Sequence, residues 1–358
     1  MIYAVIMAGG RGERFWPASR RDIPKHLLQH FGEKTLLEAT VERIRELVPA
    51  ENIIIVTNID QTEKIKKIFP KIPENNIISE PLSRNTAPCI GIAARYIQSF
   101  DANGMMVVLP ADHIIDREKE FIRNLSDAVK VAEKNRNLIT FGIKPYGPET
   151  GYGYIKVGEK IKNGLKTMFG VVDGFFEKPD SRTALKYYET GNYLWNSGMF
   201  VWRCDVILNA INKSLPEMHK KICSLNISRD QPIDFADLKR VYESINGISI
   251  DFGVMEKEKN VLVASSDFVW DDVGSWTALE RHGETDENGN ISNGEFINFD
   301  TKGCIISGDK RLIATAGVKD LIIVETEDAL LICNKKNAQD VKKIVAKLKE
   351  EDKYFKYL

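Results

Sequence analysis

The chain has 358 residues, 43% of them hydrophobic and 28% charged, with a formal net charge of −1. That length fits one large domain plus a smaller one in an ordinary globular protein. The lack of a basic surplus argues against a general nucleic-acid binder, and no apolar run approaches the roughly 18–20 residues of a membrane span. The sequence starts at once on a strand, with no cationic and apolar signal segment before it, which predicts a cytoplasmic protein. Cysteines 89, 204, 223, 304 and 333 are scattered and show no CxxC spacing, so they predict reduced thiols and no zinc site.

In chain order, residues 2–7, 53–57, 105–109 and 138–141 are compact apolar runs of the kind found in buried parallel strands. Thr35-x-x-Glu38 is a capping box opening a helix whose apolar positions repeat until Pro49. Residues 86–99 and 117–134 also read as helices. Strands alternating with helices predict an α/β fold with a mainly parallel sheet, whose ligands sit at the carboxyl ends of the strands.

Beyond residue 150 the pattern is mixed. Residues 152–157 alternate, and 171–178 form a strand-like run ending in Glu177-Lys178-Pro179. Helices are predicted near 181–190, 205–213 and 234–245, and short strands at 248–250 and 261–263. The polar, turn-rich stretch Glu284–Asn290 marks a boundary, predicting a catalytic domain over 1–286 and a small β-rich domain over 287–358. Short β runs fill 291–333, without a strict hexapeptide repeat, and a helix follows near 337–349.

The loop Met7-Ala-Gly-Gly-Arg-Gly-Glu-Arg14 follows the first strand. Phe15 stands where a dinucleotide fingerprint needs its third glycine, and no GxxxxGK[ST] is present. What remains is a flexible turn with cations, Arg14 and Lys25 among them, suited to a polyphosphate. Asp112 ends another strand and is a natural Mg²⁺ ligand, with Asp251 the best candidate for a second. Adjacent Glu177 and Lys178, on a strand, point to opposite faces, one toward a sugar and the other toward its phosphate. Asn196, in Trp195-Asn-Ser-Gly-Met-Phe200, offers an amide to sugar hydroxyls.

Eight motifs in order, from Met7–Arg20 and Pro24-Lys25-His-Leu-Leu28 through Glu80-Pro-x-x-Arg-Asn-Thr-Ala-Pro88, Pro110-Ala-Asp-His113, Pro148–Tyr154, Phe176-Glu-Lys-Pro179 and Trp195–Phe200 to Trp270-Asp-Asp-Val-Gly-Ser-Trp276, resemble the sugar nucleotidylyltransferases. Within that family they are most similar to the mannose-1-phosphate guanylyltransferases. The match covers about 7 to 276, and His26 departs from it by replacing a glutamine. The resemblance implies a Rossmann-like catalytic domain and a short left-handed β-helix used in self-association, as a homodimer. It implies transfer of GMP from GTP to mannose 1-phosphate, giving GDP-mannose and pyrophosphate, with Mg²⁺ as cofactor. It further implies that Gly9, Gly10 and Gly12 shape the loop under the triphosphate, flanked by Arg11. Arg14 then holds the departing pyrophosphate, Lys25 the α-phosphate, and Asp112 and Asp251 the metal. Lys178 takes the sugar phosphate, while Glu177, Asn196 and the Gly151 backbone read the mannose. Guanine is expected near Ala8, Asn85, Thr86 and Pro88. Some relatives carry a C-terminal cupin-type isomerase domain; a chain ending at 358 leaves no room for it, so no isomerase activity is expected. Intact Arg14, Lys25, Asp112, Lys178 and Asp251 argue against a non-catalytic regulatory relative.

Overall fold

The structure, a computed structural model, describes residues 1–29 and 33–358. They pack into two compact units. One comprises Met1–Gly9, Val41–Ala111 and Ile115–Trp270. Its strands are β1 (Ile2–Ala8), β2 (Ile53–Asn58), β3 (Ile77–Glu80) and β4 (Met105–Pro110). After the short β5 (Ile114–Asp116) come β6 (Leu138–Ile143), β7 (Tyr154–Ile161), β8 (Met168–Phe176), β9 (Tyr193–Arg203) and β10 (Val261–Ser265). Nine of these form one sheet in the order β3-β2-β1-β4-β9-β6-β10-β8-β7. Parallel pairs join β1 to β2 and β4, β2 to β3, and β6 to β10. β8 and β9 run against their neighbours.

Ile53, Ile54, Ile55 and Val56 are all buried, so β2 is covered on both faces. That is why the sequence shows continuous apolar runs and not alternation. The helices of this unit include α1 (Leu36–Ile44), which begins in the other unit, α2 (Thr62–Ile68), α3 (Thr86–Gln98), α4 (Glu118–Asn135) and α5 (Ser181–Thr190). α6 (Cys204–Ser214), α7 (Pro216–Cys223) and α8 (Phe235–Ser244) follow. Ile90, Ala93 and Tyr96 of α3 share one apolar cluster with Tyr3, Val56, Trp202, Ile207, Ile211 and Tyr242. Full burial of each large aliphatic side chain contributes about 1.5–3 kcal/mol.

The second unit comprises Gly10–Thr40, Asp112–Ile114 and Asp271–Leu358, so the described residues between 10 and 40 group with the C-terminal segment. After β11 (Val269–Asp271) and α9 (Leu279–His282) it contains β12 (Ile291–Asn293), β13 (Phe296–Phe299), β14 (Ile305–Ser307), β15 (Ile313–Ala316), β16 (Leu321–Glu325) and β17 (Leu330–Asn334). Ile291, Ile305 and Ile322 stack in parallel register, and so do Phe296 and Ile313. Successive coils therefore advance by 14 (305 − 291) and 17 (322 − 305) residues, an unevenness that hides the coil from any search for a fixed repeat. Asn290 closes one corner, donating to the Thr301 carbonyl and accepting from Cys304 N, both at 2.9 Å. The C-terminal helix α10 (Val341–Leu348) buries Val341 and Val345 in a cluster with Phe15, Trp16, Val273 and Trp276. All five cysteines are free.

Candidate active site

In the first unit, β1 delivers Ala8 and Gly9. The Ala8 carbonyl accepts from Thr57 Oγ1 at 3.0 Å, and the Gly9 carbonyl from Asn58 Nδ2 at 2.8 Å. A Cβ on Gly9 would lie 2.9 Å from Glu80 Oε2, so glycine admits the Glu80 carboxyl here. Glu80 is 6% exposed and accepts the Tyr242 hydroxyl at 2.7 Å. Burial pushes its carboxyl up to about 7. No sequence signal marks it beyond its place at the head of the Glu80–Pro88 motif.

The rest of that motif is welded to residues 242–250. Arg84 Nε donates to the Tyr242 carbonyl at 2.9 Å, and the Arg84 carbonyl accepts from Ile248 N at 3.1 Å. Asn85 has φ +67, rare for a non-glycine residue, and its side chain caps α3 by accepting from Thr86 N at 2.9 Å. Thr86 Oγ1 accepts from Ile250 N at 2.8 Å. Pro88 is buried in the first turn of α3. Residues 248–250 thus form no strand, contrary to the expectation. The Ile248 and Ile250 N–H groups are taken by Arg84 and Thr86, and Asp251 opens a π-helical turn, Asp251–Met255.

Asp251 Oδ1 accepts from Asn196 Nδ2 at 2.8 Å. The amide orientation is set by Asn196 Oδ1, which takes Thr140 Oγ1 at 3.0 Å and Gly198 N at 3.3 Å. Burial, then the neighbouring Glu177 carboxylate, push Asp251 up to about 6. The strand expected through Lys178 ends at Phe176, so alternation does not govern Glu177 and Lys178. Lys178 instead takes φ +48 and its ammonium pairs with Glu177 at 3.0 Å. The glycine that lets Glu177 in is Gly153, whose Cβ would lie 2.4 Å from Glu177 Oε2; a Cβ on Gly151 would meet nothing within 4 Å.

In the second unit, Gly12 has φ +66 and a Cβ there would lie 2.3 Å from Lys25 Cβ. This glycine serves the packing of Lys25, while Gly10 has open space and Arg11 is exposed. Lys25 is 5% exposed, and its Nζ donates to Asp112 Oδ2 at 2.8 Å and the Asp272 carbonyl at 2.5 Å. Burial opposes ionisation of Asp112, but the Lys25 ammonium outweighs it and draws the carboxyl down to about 2. Burial holds His113 below its ordinary value, hence neutral at pH 7. Phe15 packs on Trp276 at a centroid distance of 5.2 Å, and Trp276 Nε1 donates to the Trp16 carbonyl at 3.3 Å. The residue that breaks the dinucleotide pattern is therefore the loop's apolar anchor. Beside it, Arg14 Nη1 lies 3.4 Å from the Gly274 carbonyl, and Arg14 Nε–H is buried without an acceptor among the described residues, as fits a guanidinium awaiting an anion. Arg20 is structural, donating to the Pro17 carbonyl and to Asp328 at 2.7 and 2.6 Å.

Among the described residues, no cluster of three or more His, Cys, Asp or Glu side chains forms a ready metal centre. In the first unit Asp251 with Glu177 still presents an oxygen-only, mutually repelling donor set, which fits a hard divalent cation; in the second unit Asp112 is ionised. A sequence model of the nucleotidyl transferase family matches residues 3–289. The chain belongs to that family. Residues 294–348 match the MannoseP isomerase/GMP-like beta-helix domain. A mannose-1-phosphate guanylyltransferase from Salmonella montevideo is 39% identical over 99% of this chain and 75% of its own. A crystal structure described as a mannose-1-phosphate geranyltransferase from Thermus thermophilus superposes with a TM-score of 0.85, at 35% identity over 97% of this chain and 99% of its own. Another, described as a mannose-6-phosphate isomerase from Helicobacter pylori, reaches 0.58 at 25% identity over 75% of this chain and 99% of its own. Nucleotidyl transferases generally use a divalent metal. Among the described residues no helix is long and apolar enough to cross a membrane.

Proposed function

We propose that this nucleotidyl transferase moves GMP from GTP to mannose 1-phosphate, giving GDP-mannose and pyrophosphate. The observation that carries the reading is the cation pair on one loop: a buried Lys25 ammonium fixed by two acceptors, and an Arg14 guanidinium with a buried N–H left over. The relatives named for this activity, aligned over nearly the whole chain, supply the substrates.

The sugar phosphate oxygen attacks the α-phosphorus in line, a new P–O bond forms, and the bond to the β-phosphate breaks with its electrons leaving on pyrophosphate. The nucleophile is already an anion, so the residues need to position and to neutralise charge. Each unlike pair at ~4 Å and an effective dielectric of ~20 contributes about 4 kcal/mol before desolvation. Lys25 faces the α-phosphate, Arg14 the leaving pyrophosphate, and Lys178 the sugar phosphate. Gly9, Gly10, Gly12 and Arg11 cradle the triphosphate. Glu177, the Gly151 backbone and the one Asn196 N–H not given to Asp251 read mannose hydroxyls. Mg²⁺ is the cofactor that Asp112 and Asp251 would hold; when bound it neutralises phosphate charge. Homodimerisation, a cytoplasmic location and a functional division near residue 286 complete the proposal.

The base site is formed by Ala8, Asn85, Thr86, Pro88 and, additionally, Glu80. A carboxylate matches the two adjacent N–H donors of guanine, which adenine lacks. Glu80→Gln should therefore lower kcat/KM for GTP about 100-fold while changing the value for ATP little. Equal loss with both nucleotides would remove Glu80 from base recognition. The reaction itself is tested by pyrophosphate release across a panel of nucleoside triphosphates and hexose 1-phosphates with Mg²⁺. The expected maximum is GTP with mannose 1-phosphate; a maximum with another pair overturns the assignment.

A further inference from the structure

The turn Asp271–Gly274 contains a strained backbone position. Val273 has φ +50, a region that a β-branched residue rarely enters. Its side chain is fully buried in the cluster of Phe15 and Trp276. Its backbone is held from one side: Asp271 Oδ1 accepts the Val273 N–H at 2.8 Å. Asp271 is 4% exposed and is itself fixed by Arg281, which donates from Nε and from Nη2 (2.8 Å), and by His282 Nε2 at 2.8 Å. The two residues flanking Val273 face the proposed chemistry. The Asp272 carbonyl takes Lys25 Nζ at 2.5 Å, and the Gly274 carbonyl lies 3.4 Å from Arg14 Nη1.

We propose that Asp271 is a positioning residue for nucleotidyl transfer: by pinning Val273 in the left-handed conformation it aims two backbone carbonyls at Lys25 and Arg14. The inference rests on the roles given above to those two cations. The side-chain bonds of Asp271 go to Val273 N, Arg281 and His282, and those of Lys25 and Arg14 go elsewhere. The action of Asp271 runs through the turn, and a turn that relaxes moves both carbonyls at once, because they flank the strained residue. Lys25 would keep Asp112 as a partner but lose its second tether. A displacement of about 1 Å in such a group is enough to cost about 100-fold in rate.

A double substitution separates this action from plain structural support. Asp271→Ala is expected to lower kcat about 100-fold while KM for mannose 1-phosphate stays within about threefold. Asp271→Asn keeps an acceptor for the Val273 N–H and should retain most of the lost rate. Glycine adopts the left-handed conformation without help. Asp271→Ala/Val273→Gly should therefore turn over as fast as Val273→Gly alone. Kinetic loss that glycine does not recover overturns the proposal, because a mere anchor for Arg281 and His282 is indifferent to residue 273. The same holds if Asp271→Ala alone keeps kcat within threefold. Should Asp271→Ala fail to fold, the double variant still decides against Val273→Gly, and its failure to fold counts as failure to recover. Acylation of Lys25 by an N-hydroxysuccinimide ester, read by peptide mass spectrometry, reports the turn independently of the reaction assigned. Labelling should rise about tenfold in Asp271→Ala and return in the double variant; unchanged labelling overturns the positioning role even if the substrates prove to be others.

Discussion

Lys25→Met is expected to lower kcat about 10³-fold while KM for GTP changes less than about fivefold. A thousandfold loss corresponds to about 4 kcal/mol in the barrier, the size of one unlike charge pair at ~4 Å and an effective dielectric of ~20. The position of the lysine carries a cost that the proposed role would explain: it is buried, and Gly12 has given up its side chain to let the lysine stem pass. Methionine keeps the stem and removes only the charge. The change also strands Asp112, whose ionised form relies on Lys25. Asp112 is partly exposed, so the loss of stability at pH 7 should be modest, about 1 kcal/mol. Its pH dependence has a definite sign. A carboxyl held down to about 2 when folded, against its ordinary 3.8, contributes stability that is present above pH 3.8 and lost as pH falls through 2. The variant should lack that step, so the gap in melting temperature between the two proteins should close on acidification to pH 2. Steady-state kinetics and thermal melts read both effects. Turnover within tenfold of the parent would take Lys25 out of the mechanism.

The loop that holds Lys25 is legible as sequence because glycines, cations and a preceding apolar strand lie within two dozen residues. The sheet is legible for a similar reason: strands covered on both faces are continuous apolar words. What stays hidden depends on approach between distant residues. Nothing in Glu80-Pro81 says that this carboxyl is buried against Gly9 and Tyr242, and nothing near Gly151 says that Gly153 is the glycine Glu177 needs. Ile248-Ser249-Ile250 has strand composition, yet the N–H groups of its two isoleucines are spoken for by Arg84 and Thr86. The periodicity that would put Glu177 and Lys178 on opposite faces ends one residue before them, at Phe176. Val273 is invisible for the opposite reason: β-branched residues disfavour φ +50, so only the surrounding bonds reveal that conformation.

Asp251→Asn is expected to make the protein more stable and nearly inactive, a combination that a structural carboxylate cannot give. In the folded chain Asp251 is pushed up to about 6 by burial and by Glu177, above its ordinary 3.8. An acid raised in this way favours folding only when protonated. Its ionised form weakens the fold increasingly as pH rises from about 4 to about 6, and the penalty is complete above that. Asparagine keeps the oxygen that accepts from Asn196 and removes the charge that repels Glu177. Without divalent ions at pH 8 the variant should be about 1 kcal/mol more stable, the shift being discounted for solvent access. The advantage should shrink at pH 4.5, where the parent is itself protonated. Adding Mg²⁺ should raise the melting temperature of the parent and leave that of the variant nearly unchanged, because a site short of one carboxylate binds a hard cation weakly. Turnover should fall about 10³-fold if, as proposed, the carboxylate that weakens the metal-free fold is the one that serves charge neutralisation at the phosphates. A variant that melts lower than its parent at pH 8 would show that Asp251 is held for its bonds; one that keeps its response to Mg²⁺ would place the second ligand elsewhere.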